Sequence, residues 1–375
     1  MKISMAISAA FACATMVAAA AGPRRVAVFS GTGPMGFSFS ECVRLMHDSP
    51  EVQETYIDEK MILNGILDPA RFDVLVMPGG SPQIVKYVLK KEGAELVKDY
   101  LRKGGNYVGT CAGASLLMDD KANPERGMGF IPYTLAYRSD RMSQLPIELN
   151  EKGAKALGLP AKSYDMWYHG GPVLVPTNGD FPDAHVEIWG TFGDFGKPNP
   201  NDGSQMLGRG AVVGGTYGKG KLCATSCHPE YYPFSYPLFQ AMFRYVTGRE
   251  ITFPTRKHNP RALTVGCYYV AAKGIECAKL LTQLDDNPDI DVQILDVVTI
   301  RRGGLDHVDV LLLPDGNPIL VKLFFPEDTD KMMNDFMARG GKTFAWGEAV
   351  KHLPKGGVVV KDAAEALSKT LECLK

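Results

Sequence analysis

Short apolar runs that stop at glycine or proline alternate along this chain with longer stretches whose apolar residues recur at helical spacing. That alternation predicts a parallel sheet covered by helices. Arg24 to Phe29 reads as the first strand and meets the loop Gly31-Thr32-Gly33-Pro34-Met35-Gly36. Ser38 to Met46 reads as a helix, and Glu54 to Ile57 as the next short strand. Phe72 to Met77 is another strand-like run, stopping at Pro78-Gly79-Gly80-Ser81-Pro82. From Gln83 to Lys103 the apolar residues Ile84, Val88, Ala94, Val97 and Leu101 lie at helical spacing between two glycine interruptions. Gly104 to Thr110 then reads as a buried strand that ends abruptly on Cys111, with a helical pattern after it.

The pattern loosens between Asp119 and Gly210, where prolines, glycines and aromatics rise. This segment reads as an insertion, whose most distinctive piece, Tyr164 to Pro172, is a strand running into a double glycine. Gly208 to Lys221 is glycine-dense and predicts a hairpin that returns the chain to the sheet. Leu238 to Thr247 reads as a closing helix, and Thr252 to Pro260 has the composition of a linker. The strand pattern then restarts. Arg261 to Gly266 repeats the character of the first strand, His307 to Pro318 that of Arg71 to Pro82, and Gly340 to Gly347 that of the strand before Cys111. Pro78 precedes Cys111 by 33 positions, and Pro314 precedes Gly347 by 33. The spacing predicts two tandem doubly wound, flavodoxin-like α/β domains with parallel sheets, at 24–250 and 261–375, joined by 251–260. The second is a degenerate copy: Gly347 stands where the first has Cys111, Asp315 interrupts the Gly-Gly pair, and no His-x-Glu follows.

Composition changes this picture little. With 375 residues, 45% hydrophobic content and a formal charge of −1, the chain has the profile of an ordinary globular protein, and nothing points to nucleic acid. The N-terminus is more telling. Lys2, the apolar run Ile3 to Ala19, then Ala20-Ala21-Gly22 have the basic start, apolar core and small-residue exit of a secretory signal, so residues 1–21 are expected to be removed on export. The expected location is periplasmic or secreted, with no membrane attachment after cleavage.

Removing Cys13 from the 8 cysteines leaves an odd number in a compartment where disulfides form, so at least one thiol is free or intermolecular. Cys223 and Cys227 on one strand would lie roughly 13 Å apart, too far for a disulfide. Cys42, Cys267, Cys277 and Cys373 have no metal-ligand spacing, and no metal is expected. The glycines at 31, 33 and 36 follow a strand but enclose a proline, and no strand-end acid is evident near Glu51 or Glu54, so no cofactor is expected.

The chemistry gathers at three places. Gly109-Thr110-Cys111-Ala112-Gly113 is the cysteine form of the nucleophile elbow, in which only small neighbours let strand and helix approach so closely. The helix start beneath the sulfur favours a thiolate, and the Ala112 N–H is placed to meet an oxyanion. The Gly80 N–H, at the end of a neighbouring strand, is the second candidate donor. His228 and Glu230 follow the strand-like run Lys221 to Cys227, the imidazole as base to the thiol and the carboxylate as its orienter. Tyr168, Gly170 and Gly171 are candidate substrate-binding residues over the pocket, and Tyr231, Tyr232, Phe234 and Tyr236 are expected at its rim.

In this order, the residues resemble the class I glutamine amidotransferase fold, whose triad is Cys, His and Glu. Gly109 to Ala114 and Trp167 to Val173 are similar, more particularly, to the biotin-protein ligase N-terminal domain family, over about residues 24–250. That family usually shows Tyr-Asn-Gly-Gly where this chain has Tyr168-His169-Gly170-Gly171, and no ligase or biotin-binding domain is recognisable downstream. The resemblance implies a Cys111–His228–Glu230 triad acting on an amide or peptide-like bond of a small-molecule or peptide substrate. Neither a synthetase domain nor a Gly-x-x-x-x-Gly-Lys-Ser/Thr loop accompanies it, which favours hydrolysis over ammonia transfer. The alternatives are a glutaminase-type amidotransferase and a binding protein that keeps the fold without turnover.

Overall fold

The computed structural model describes residues 22–34, 36–137, 142–194, 205–230, 236–253, 259, 262–268, 275–295, 300, 304–316, 318 and 327–375. The expected signal at 1–21, most of the linker and the rim residues Tyr231, Tyr232 and Phe234 lie outside the described residues.

The apolar runs become strands whose alternate residues go to opposite sides. In β1 (Arg24–Phe29), Val26 and Val28 join one buried cluster and Ala27 and Phe29 another, so both faces of the strand are covered. This explains why β1 and β3 (Val74–Met77) read as continuous apolar runs rather than as alternating ones. With β2 (Val52–Ile57), β4 (Asn106–Thr110) and β11 (Gly220–Thr225) they form a parallel sheet in the order β2-β1-β3-β4-β11. The helices α1 (Gly36–Asp48), α2 (Glu59–Leu63), α3 (Pro82–Arg102), α4 (Ala112–Leu117) and, after the insertion, α6 (Tyr236–Thr247) connect or flank these strands. Asp58 and Ser81 cap α2 and α3 through their side chains.

Beyond β11 the expected insertion extends the sheet with antiparallel strands. The insertion supplies β5 (Tyr133–Tyr137), β6 (Met142–Leu149), α5 (Glu151–Leu157), β7 (Ser163–His169), β8 (Val173–Pro176), β9 (Ala184–Phe192) and β10 (Gly210–Tyr217). β10 forms the expected antiparallel hairpin with β11, and β9, β6 and β7 continue the same sheet antiparallel. The two-residue turn between β10 and β11 is too short for a parallel crossover, so that pair must be antiparallel.

Among the described residues a second, all-parallel sheet follows, in the order β13-β12-β14-β15-β16: β12 (Leu263–Tyr268), β13 (Ile290–Leu295), β14 (Val310–Leu313), β15 (Lys342–Ala345) and β16 (Val358–Val359). The order β13-β12-β14-β15 repeats β2-β1-β3-β4. Even the strand starts match. Asp73 accepts the Arg25 N–H and donates its own to Arg25, and Asp309 does both with Thr264. The helices α7 (Ile275–Asp285), α8 (Glu327–Ala338) and α9 (Ala363–Glu372) cover this sheet. Helix α7 packs against α1, and Cys42, Leu45 and Met46 belong to the same buried cluster as Leu280, Leu281 and Leu284. One apolar seam therefore runs from the first sheet to the second.

Candidate functional site

Strand β4 ends beside β3 and β11, and the turn that follows places Cys111 at φ 50°, ψ −101°. A positive φ is costly for a residue with a Cβ, and Cys111 is one of two non-glycine residues that adopt it among those described. The surroundings hold it there. The Cys111 N–H is donated to the Thr225 carbonyl at 2.8 Å, and its carbonyl accepts the Ser115 N–H at 3.0 Å. Gly113 lets α4 lie against β3, since a Cβ there would meet the Met77 carbonyl oxygen at 2.1 Å. The Cys111 side chain makes no capping bond to α4.

His228 and Glu230 reach this sulfur from the end of β11. The His228 N–H is donated to the Trp167 carbonyl at 2.8 Å, which ties the segment to the end of β7. His228 Nδ1 lies 2.9 Å from Glu230 Oε1, and the ring also hydrogen-bonds the Cys111 sulfur. Both groups are buried, His228 at 3% exposure and Glu230 at 0%. Burial by itself would lower the pKa of the imidazole, but the charges of Glu230 and Cys111 and their hydrogen bonds outweigh it and raise the ring to about 10. Cys42 and Cys227 lie in the same neighbourhood. Burial, reinforced by the Glu230 charge, pushes both thiols well up, so they remain protonated packing residues.

The turn after β3 lies against the imidazole. A Cβ at Gly79 would meet His228 Cε1 at 2.6 Å, so glycine is required there. Gly80 follows at φ 151°, in an isolated antiparallel bridge with Pro34 in which the Ser81 N–H is donated to the Gly33 carbonyl at 2.9 Å. Pro78 to Ser81 and Ala112 thus flank the sulfur–imidazole pair on neighbouring strand ends, where parallel sheets place their sites. The glycine loop after β1 is satisfied internally: Glu59 accepts the Thr32 N–H and hydroxyl, each at 3.0 Å.

The turn from β7 to β8 closes over Cys111. Cys111 Sγ lies 3.5 Å from the His169 carbonyl oxygen, and Gly170, at φ 66° and partly exposed, follows directly. Gly171 is buried against the Ser226 carbonyl, which a Cβ would approach to 1.9 Å. Tyr168, a candidate substrate-binding residue in the sequence, lies beneath this turn. Its side chain is fully buried, and its hydroxyl is donated to the Gly171 carbonyl at 2.8 Å, so it holds the turn from beneath. Tyr236, expected at the rim, is buried as well and hydrogen-bonds Arg44.

Two polar residues of the site escaped the sequence reading. Thr110 Oγ1 is donated to Glu230 Oε1 at 3.1 Å, and Ser38 Oγ to the same oxygen at 2.5 Å. Thr110 was within reach of the sequence, as the residue immediately before the nucleophile. Ser38 gives no sequence signal, because α1 is brought to the site only by the fold.

Residues 24–116 match the family model described as biotin-protein ligase, N terminal. The matched stretch holds Gly80, Cys111 and Ala112 and stops before Tyr168, His228 and Glu230. No curated protein matches the chain. Solved structures similar to it include a ThuA-like protein from Bacteroides uniformis, 14% identical, covering 62% of this chain and 94% of that one at a TM-score of 0.41. A glutamine amidotransferase from Thermotoga maritima is 13% identical, covering 56% and 77% at 0.37. A cytoplasmic protein from Salmonella typhimurium is 12% identical, covering 60% and 98% at 0.37. These likenesses carry no reaction to this chain.

Proposed function

We propose that Cys111, His228 and Glu230 form a cysteine-nucleophile site that cleaves an amide or peptide-like bond through a thioester, in a chain exported by the segment Lys2 to Gly22. The observation that carries this reading is Cys111 held at φ 50° on a strand–helix elbow with the His228 ring on its sulfur and Glu230 behind the ring. A buried ring with a pKa near 10 is an imidazolium at neutral pH, which sets a positive charge and a proton donor against the Cys111 sulfur. In this reading the thiolate attacks the carbonyl carbon and the Ala112 and Gly80 N–H groups receive the developing oxyanion. His228 gives its proton to the departing amine. Water then attacks the thioester, returning a proton to the imidazole and releasing the acid and the thiolate. Glu230 keeps the ring oriented and offsets its charge.

Hydrolysis is preferred to transfer of ammonia because water alone can resolve a thioester held at this triad. One observation favours a binding protein instead: Cys111 is 7% exposed, beneath the His169 carbonyl. The test is to incubate the full chain, wild type beside Cys111→Ala, with small amides, peptides and glutamine. Cys111-dependent release of acid and amine from amides or peptides is the expected result. Release of ammonia from glutamine alone transfers the assignment to the glutaminase reading, and no Cys111-dependent turnover transfers it to the binding reading.

A further inference from the structure

We infer that Ser38 is a positioning residue of this site, fixing the carboxylate behind the imidazole and the turn beside it with one hydroxyl. The inference rests on the triad reading above. Ser38 stands near the start of α1, far from β4 and β11 in sequence, and is 1% exposed. Its proton goes to Glu230 Oε1 at 2.5 Å, because a carboxylate can only accept. Its oxygen accepts the Gly79 N–H at 2.6 Å and lies 3.1 Å from the Thr110 hydroxyl.

The consequence is geometric. Glu230 Oε1 receives Ser38, Thr110 and His228, while Oε2 is buried with no hydrogen-bond partner among the described residues. The orientation of the carboxylate is therefore set by donors on one oxygen. Gly79 abuts the imidazole and precedes Gly80, so Ser38 also sets where the turn stands relative to His228. Loss of the hydroxyl would leave the Gly79 N–H buried without its acceptor and free Glu230 to rotate about its remaining bonds, both costly in a water-free setting. The positive end of α1 adds to the attraction for the carboxylate. α7 packs against α1, so the strut that carries Ser38 is braced by the second sheet's layer.

The test needs no substrate. The rate of Cys111 alkylation by iodoacetamide is followed by mass spectrometry from pH 5 to 10 in the full chain, for wild type, His228→Ala, Ser38→Ala, Ser38→Thr and Ser38→Val. Ser38→Ala is expected to lower the neutral-pH rate about fivefold and to move the pH profile towards that of His228→Ala. Thr is expected to keep more of the wild-type profile than Val, which has the same size without the hydroxyl. A purely structural role would change stability and leave the profile in place. If Ser38→Ala fails to fold, the Thr and Val pair decides by the same readout. A wild-type profile in folded Ser38→Ala, or identical profiles for Thr and Val, overturns the inference while His228→Ala still shifts. A wild-type profile in His228→Ala overturns the triad reading, and the role of Ser38 falls with it.

Discussion

The first and second sheets each carry an elbow, and the two differ in one instructive way. Cys111 and Gly347 follow the fourth strand of the same parallel order, 33 positions after Pro78 and Pro314. Both have positive φ, 50° and 63°. In the first copy the strained position carries a sulfur; in the second it carries nothing, and the Asp315 carboxylate fills the space and accepts the Glu348 N–H at 2.8 Å. Glu348 occupies the place of Ala112. The elbow's first amide thus already binds an anionic oxygen in the copy without a nucleophile, which supports Ala112 as the donor to an oxyanion in the copy that has one. The backbone of an elbow can persist after its chemistry is gone.

The strongest way to break this comparison is to remove the sulfur. Cys111→Ala is expected to reduce turnover of any amide substrate by at least about a thousandfold, since nothing in the second elbow can replace the nucleophile. A Cys111→Ala chain that retains turnover would place the chemistry elsewhere.

Packing beneath the elbows gives a smaller effect. Gly113→Ala is expected to cost about 1–3 kcal/mol in urea unfolding, because the new methyl meets the Met77 carbonyl, whereas the corresponding residue of the second copy is already Ala349. Gly347→Cys should be destabilising by a similar amount, its Cβ meeting Asp315 Oδ1 at 2.0 Å, and should yield a slowly alkylated thiol. Rapid labelling at position 347 would mean that the elbow alone suffices for reactivity.

The pH dependence of stability separates the copies further. The His228 ring is held near 10 against an ordinary value of 6.5. A raised folded-state value stabilises the protein fully below pH 6.5, and that contribution is lost as pH rises through about 10. The stability difference between wild type and His228→Gln, from urea midpoints, should therefore shrink between pH 6.5 and 10. A difference that stays constant or grows over this window would contradict a protonated ring. The smallest expected effect is in the second elbow: Asp315→Ala should cost about 1 kcal/mol, the loss of one capping bond to a backbone amide. No change in its melting curve would show that the carboxylate contributes nothing there.

The parallel half of the fold was legible because its strands are short, apolar on both faces and punctuated by glycine. Arg24 to Phe29 is β1 to the residue, and the helix read from Gln83 to Lys103 is α3 within one residue at each end, though a kink at Lys90 (φ 57°) divides it in two. Of the insertion only the strand from Tyr164 and the Gly208 to Lys221 hairpin were legible. β6 contains Pro146, and β9 keeps polar residues among its apolar ones, so no period stands out in either. The elbow and the His-Pro-Glu run could be read because each is local. The burial of Tyr168 was not legible, because an aromatic beside a double glycine looks alike in sequence whether its ring is open to solvent or lies under the turn. Ser38 was invisible for the opposite reason, being an ordinary serine until tertiary contacts give it three polar neighbours.

The apolar seam between α1 and α7 bears on how this chain can be handled in pieces. A fragment ending near residue 250 would carry every residue of the proposed chemistry and would also lay Cys42, Leu45 and Met46 open on the side where Leu280, Leu281 and Leu284 now sit. Contiguous apolar surface of that kind drives self-association. Such a fragment would precipitate or pair with itself before its reactivity could be judged, and the silent copy acts in this sense as a permanently tethered chaperone for the one that bears the sulfur.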